Sequence, residues 1–243
     1  MILPRSALLA LWTSACLQGA VGPDDAAVAI RGEDPHHLVL GWPEHPEPLD
    51  LGHLPAAMSG LREPSVRVAL PAPGDPLGLA GPPAFNAEAL DAGEAVVVVG
   101  LGAAYGLVPR EDARTVLWHC HPVEVPQLLD PREASRTLRQ VLLTATAELV
   151  RLDVASWRPE IPDLMLNLAG RPGLPLPPGT PNAAVETLER AVLCTDIVEL
   201  ARGDEGGAVS SHEMAARAGC LTDLDAAARR AIVALCSASL GAT

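Results

Sequence analysis

His119-Cys120-His121 is the segment whose residue types and spacing point most directly to chemistry. In a β-strand successive side chains alternate, so residues two apart share a face. His119 and His121 then point one way, and Trp118 and Cys120 the other. Two imidazoles on one strand face can supply two ligands to a divalent metal ion, and a third protein ligand completes the set. Four more histidines, His36, His37, His45 and His53, lie close to the first predicted strand. If that strand neighbours 115–121, His36 or His37 supplies the third ligand, and a metal-dependent hydrolase follows. The plainer alternative is a polar strand end meeting Pro122, with its histidines satisfied by backbone or water.

Other patterns lack a necessary part. Val96-Val-Val-Val-Gly100-Leu-Gly102-Ala-Ala-Tyr-Gly106 looks like a dinucleotide fingerprint. That chemistry needs a strand, a glycine turn and then a helix whose N-terminus meets the pyrophosphate. Here the β-like Leu107-Val108-Pro109 follows, so the segment reads as a hairpin whose glycines supply positive φ. His212-Glu213 opens like a zincin helix, but Ala216 stands where the second histidine is needed. Val209 to Gly219 also resembles the first half of a helix-turn-helix, making 209–235 a candidate DNA reader. The next residues, Leu221-Thr-Asp-Leu-Asp225, are acidic. A helix capped by Ser210 or Ser211 and stopped by Gly219 is the simpler expectation. There is no Gly-x-Ser-x-Gly, and Tyr105 has no lysine beside it. Strand alternation aims the Cys120 sulfur away from both imidazoles, so it reads as a core thiol.

Composition removes whole classes of function. The chain has 243 residues, 17 basic against 30 acidic, for a net charge of −13, and every basic residue is arginine. Without lysine there is no P-loop, no kinase phosphate-gripping lysine and no Schiff base to pyridoxal phosphate. One Tyr, one Phe and four Trp leave little for a base-stacking surface. The negative charge argues against nucleic acid or anionic lipid as a partner. Five cysteines without a C-x-x-C read as free thiols, which fits a reducing cytoplasm. Met1 to Cys16 resembles a short signal peptide, with Cys16 at a lipoprotein-type cleavage site. Its apolar run is short and broken by Thr13 and Ser14. A folded helix with Leu8, Leu11, Trp12 and Ala15 on one face is therefore expected. No run approaches the roughly 20 apolar residues of a membrane span.

The elements that must position these residues follow from periodicity. Residues 4–32 predict two helices, separated near Gly19 to Gly22, the second opened by Pro23 and closed by Gly32. Strands are expected near 37–41, 66–70, 95–99, 105–109 and 115–121, and Asn86 caps a short helix to Leu90. The last three strands follow one another too closely for crossover helices, so they pair mostly antiparallel. Helical spacing recurs at 133–154 (Leu138, Val141, Leu142, Ala145, Leu149, Leu152), 183–201, 211–218 and 224–240. The fold expected is α+β, a small, mostly antiparallel sheet flanked by N-terminal helices and a C-terminal helical subdomain. Its divisions are an α+β domain over 1–170, a Pro-rich connector over 171–182 and a helical subdomain over 183–243 packed on the first.

Between the second and third strands runs Pro71-Ala-Pro-Gly-Asp-Pro-Leu-Gly-Leu-Ala-Gly-Pro-Pro83. Ordering so rigid a loop is costly unless something uses its shape, which suggests a protein partner; a well-packed surface loop is the alternative. The run Ile2-Leu-Pro-Arg-Ser-Ala-Leu-Leu, the Pro71 to Leu79 loop and Asp153-Val-Ala-Ser-Trp-Arg-Pro-Glu160 together resemble a conserved family of high-GC actinobacterial proteins. That resemblance brings no activity and no functional residue. The expected function is a soluble, non-enzymatic protein acting by protein–protein contact, without a cofactor. A divalent-metal hydrolase and a helix-turn-helix regulator are the alternatives.

Overall fold

The structure is a computed structural model that describes residues 2–151, 173–203 and 211–238. Its contacts define two compact units. The first comprises Leu3–Leu128, Pro175–Pro181 and Val233–Thr243; the second comprises Met1–Ile2, Leu129–Leu174 and Asn182–Ile232.

The first unit opens with α1 (Arg5–Leu17) and α2 (Pro23–Arg31). Pro4 at the N-cap of α1 offers no side-chain acceptor, and the Glu94 carboxylate takes the Ser6 N–H instead, at 2.8 Å. This satisfies one of the four orphan donors of the first turn. In α2 the first turn carries Pro23, Asp24 and Asp25, and Gly32 closes it at φ +54°. The strands are β1 (His36–Leu40), β2 (Leu49–Asp50), β3 (Ser65–Ala69), β4 (Ala95–Gly100), β5 (Ala103–Asp112) and β6 (Thr115–Pro122). The short helix α3 (Leu54–Ala57) lies between β2 and β3, and α4 (Pro83–Ala92) between β3 and β4.

The sheet runs β2-β1-β6-β5-β4-β3. Every pairing is antiparallel except β1 with β6. The fold is therefore the expected α+β arrangement. The glycine-rich segment is a hairpin: Gly100 pairs with Ala103, and Gly102 turns the chain at φ +87°. β4 is buried along its whole length, which explains four consecutive valines. On one sheet face Val66, Val68, Val96, Val98 and Leu107 are buried, and α1 packs against β3 and β4. On the other, Ala69, Val97, Val99, Ala104 and Val108 pack with Phe85 and Ala89 of α4. Each such valine contributes roughly 1.5 kcal/mol or more relative to exposure.

Two local expectations change. α4 begins at Pro83 and not at Asn86, because the proline's fixed φ suits the first helical position. Asn86 reaches back instead, its Oδ1 accepting the Gly81 N–H at 3.2 Å. The loop 71–83 folds on itself: Ala72 and Asp75 exchange backbone hydrogen bonds of 2.9 and 2.8 Å, and Leu77 is buried.

The second unit holds α5 (Pro131–Arg151), α6 (Asn182–Arg202) and most of α7 (Ser211–Ser237). Asp130 caps α5 by accepting the Arg132 N–H at 2.8 Å. Leu138 and Ala145 are buried on it, with Val141 and Leu142 half-buried, following the predicted stripe. Leu152 lies outside the described residues, as does Asp153–Glu160. α5 groups with the later helices, so the division between units falls near residue 129, ahead of α5, and not at the 171–182 connector. The connector residue Pro175 belongs to the first unit, where its carbonyl accepts the Trp12 indole N–H at 3.1 Å.

The expected break after Gly219 is absent, and α7 runs continuously through it. Gly219 keeps a negative φ, and the buried face of the helix begins just past it with Leu221 and Leu224. Glycine weakens a helix interior by its entropy but does not stop one whose apolar face is packed. A Cβ at Gly219 meets nothing within 4 Å. Gly219→Ala is therefore expected to stabilise the protein by about 0.5–1 kcal/mol, read as a higher urea midpoint. An unchanged or lower midpoint would place a bend at this residue.

Candidate functional site

α4 sets the site. Phe85, Glu88 and Ala89 share one helix face, three and four residues apart. Phe85 is fully buried and lies close against β5 at Gly106, where a Cβ would stand 2.3 Å from its ring. At Gly81 a Cβ would stand 2.4 Å from the same ring. The last glycine of the fingerprint-like segment thus admits an aromatic ring and not a phosphate. His121, the cross-strand neighbour of Gly106, rests against Phe85 at a ring separation of 5.9 Å.

One turn further along α4, the Glu88 carboxylate meets both strand histidines. Its Oε2 is 2.9 Å from His121 Nε2, and its Oε1 is 3.4 Å from His119 Nδ1. Arg110 of β5 joins from the same sheet face, its Nε 3.1 Å from Glu88 Oε1. The Glu88 side chain is only 15% exposed. Glu88 Oε1 and His121 Nε2 are buried, yet neither makes a hydrogen bond of good geometry. These close charge contacts are therefore imperfectly satisfied, a costly arrangement for buried polar groups.

His119 and His121 do share a face, as alternation requires. The structure does not bring His36 or His37 to them. β1 does neighbour β6, but Leu40 is the residue opposite His119, and His36 lies opposite Thr115. Four residues along a strand is about 13 Å, so exposed His36 is out of reach. His37, by parity, faces the other side of the sheet with Trp118. The residues that do join the pair, Glu88 and Arg110, carry no spacing signal relative to His119. The one usable hint is that Glu88 interrupts an otherwise apolar helix face.

His37 belongs to a second, structural cluster. It is fully buried, Trp118 Nε1–H donates to its Nδ1 at 3.3 Å, and its Nε2 lies 3.2 Å from Asp34 Oδ2. With Nδ1 accepting, the proton sits on Nε2 and the ring is neutral. Burial pushes the His37 pKa down, and Asp34 opposes this only in part. The Arg5 guanidinium grips Asp34 at 2.7 and 3.1 Å and holds that carboxyl below its usual range. Arg5 also reaches Glu111 of β5 at 2.8 Å, so the cluster ties α1, the start of β1 and the sheet together. Cys120 shares this face of the sheet; burial pushes its thiol up to about 12, so it is no thiolate nucleophile.

The helix-turn-helix expectation fails on the helix itself. α7 has no turn at Gly219, and a recognition helix set at an angle cannot follow. Residues 204–210, where that motif would begin, lie outside the described residues. Among the described residues no helix is long and apolar enough to cross a membrane.

The fold and its sites define an α+β protein with a Glu–His–Arg centre on one sheet face. The chain belongs to the Rv1486c-like protein family: residues 6–133 match its N-terminal domain and residues 132–233 its C-terminal domain. Relatives include the uncharacterized protein Rv1486c of Mycobacterium tuberculosis strain H37Rv and MT1533 of strain CDC 1551. Each is 36% identical over 124 residues, covering 43% of this chain and 43% of theirs. The uncharacterized protein MAV321 of Mycobacterium avium is 30% identical over 198 residues, 65% of each chain. The match thus spans less than half the length of the two tuberculosis relatives. Mycobacteria are actinobacteria, so the resemblance read from the sequence holds. No solved structure matches the chain.

Proposed function

We propose that the protein acts by binding another protein, without catalysis of its own, and presents the 71–83 loop to that partner. The observation that carries this reading is the loop's internal bracing. Besides the Ala72–Asp75 pair, Leu70 N–H donates to Leu77 O at 3.2 Å and Leu79 N–H to Pro76 O at 3.0 Å. Gly78 turns at φ +82° and lies so close to β3 that a Cβ would stand 2.7 Å from Ala69 Cα. Pro73, Gly74 and Pro76 remain exposed at the tip. A loop ordered before docking loses little conformational entropy on binding, so more of its contact energy becomes affinity.

Affinity capture from an actinobacterial lysate tests this. The double substitution Pro73→Gly and Pro76→Gly softens the tip and leaves Leu77 in place. A partner retained by the wild type and by an exposed control, Val28→Ala, is expected to fall by about tenfold or more with the softened loop. Equal retention by the loop variant would contradict the reading. A second reading, metal-dependent hydrolysis through His119 and His121, is favoured by their convergence on Glu88 and requires that the centre bind an ion.

A further inference from the structure

We propose that the outer face of α5 is a docking surface for an acidic helix of a partner protein, lined by Arg132, Arg136, Arg139 and Leu143. Their spacing puts all four within roughly 60° of arc on an ideal helix. They lie opposite the buried stripe of Ala134, Leu138 and Ala145, and all four are exposed, Leu143 by 68%. From Arg132 to Leu143 the stripe runs about 16 Å. Glu133 and Glu148, the described acids of the helix, lie off it.

The three charges find no return within the chain. Among the described residues none of them pairs with a carboxylate, and the Arg139 Nε–H reaches only the Ser135 carbonyl of its own helix, at 3.4 Å. Arg5, Arg110 and Arg229, by contrast, hold carboxylates at 2.7, 3.1 and 3.1 Å. Arg132 and Arg136 stand four apart, and Arg136 and Arg139 three apart, spacings at which like charges repel along a helix. Arg132 also lies in the first turn, where the helix dipole favours anions. A chain with 30 acidic residues has thus set unpaired cations in line at an unfavourable place.

Charge complementarity selects the occupant. Carboxylates spaced four and three apart on a facing helix match the three guanidiniums, each of which can take one bidentately. An apolar residue one turn on covers Leu143. A second copy of this helix would set arginine against arginine. A long polyanion gives Leu143 no apolar contact, and its charge runs on past the stripe toward a chain of net charge −13. A short acidic helix needs only local complementarity, because charges beyond about 10 Å are screened.

A labelled helix-forming peptide tests the surface, with Glu at three positions spaced four and three apart and Leu four residues further on. Fluorescence anisotropy with the full chain is expected to show saturable binding that weakens as sodium chloride is raised. Replacing the three Glu of the peptide by Gln, or making Arg132→Gln, Arg136→Gln and Arg139→Gln together, is expected to weaken binding by about tenfold. Arg114→Gln, at an exposed arginine outside α5, leaves it unchanged. The triple change to Glu suits the helix dipole, so its urea midpoint is expected to be no lower than wild type. That variant should reject the acidic peptide and bind its Arg-for-Glu counterpart. The proposal is overturned if wild type does not bind the acidic peptide, if the Gln peptide or the triple Gln variant binds equally well, or if a DNA duplex or phosphatidylglycerol vesicles bind α5 more tightly than the peptide.

Discussion

Gly106→Ala is expected to destabilise the protein by about 3 kcal/mol, the upper end of the usual range for overpacking a core. The added Cβ would lie 2.3, 2.6 and 2.9 Å from three carbons of the Phe85 ring. Neither partner can yield easily. Gly106 sits inside β5, hydrogen-bonded between β4 and β6, and Phe85 is fully buried among Ala69, Ala89, Val97 and Val108. The ring also fills the space over Gly81, so it cannot retreat that way. Adding Phe85→Leu should recover part of the loss, because the two changes share one space and are not additive. Urea unfolding checks both variants. A Gly106→Ala midpoint within about 0.5 kcal/mol of wild type would show that the ring does not lie where the fold places it.

Acidification from neutral pH is expected to destabilise the protein before the ordinary carboxylates titrate. His37 is held neutral by burial, with Trp118 donating into the nitrogen that protonation would occupy. A proton there would set two donors against each other. The unfolded chain accepts that proton near pH 6.5, and the folded chain refuses it until a lower pH. Stability is therefore full above about pH 6.5 and falls as pH drops toward the folded value, by up to about 1.4 kcal/mol per pH unit for one proton. Asp34, with its pKa lowered by Arg5, adds a second loss at lower pH. Its stabilisation is present above the ordinary carboxylate range and disappears as pH falls through the folded value. Glu94 works in the opposite sense, since burial raises its pKa and the folded state takes up a proton first. The wild type is best compared with His37→Gln, which keeps Glu94 and Asp34. The two stability curves should diverge between pH 7 and 5, and parallel curves would remove His37 from the acid response.

The sheet was readable from the sequence because burial leaves a direct mark on it. Four buried valines in β4, the alternation of β3 and the two-residue turn at Leu101-Gly102 all follow from local rules. The failure of the dinucleotide pattern was also local, since Pro109 rules out the required helix. The site was only half readable. Strand alternation placed His119 and His121 together, but Glu88 reaches them only through the docking of α4 on β5. That docking depends on Phe85 meeting Gly106, a packing relation with no sequence period. His36 and His37 enter only on the condition that β1 neighbours β6; the two strands do pair, but their register keeps both histidines away from His119 and His121. A one-residue slip in pairing would have changed which face each occupies. Gly219 misled for a different reason. A helix stop is a matter of φ, and the buried leucines that follow keep its φ helical.

In the proposed binding role, the tip of the 71–83 loop meets the partner. The chain has no lysine, so amine-directed cross-linkers reach at most its N-terminus. A photo-reactive residue placed at exposed Pro73 reads the contact directly in actinobacterial cells. A discrete cross-linked protein is expected from position 73, absent when the probe stands at Val28, itself 60% exposed on α2. No cross-link at 73, or the same product from both positions, would contradict it.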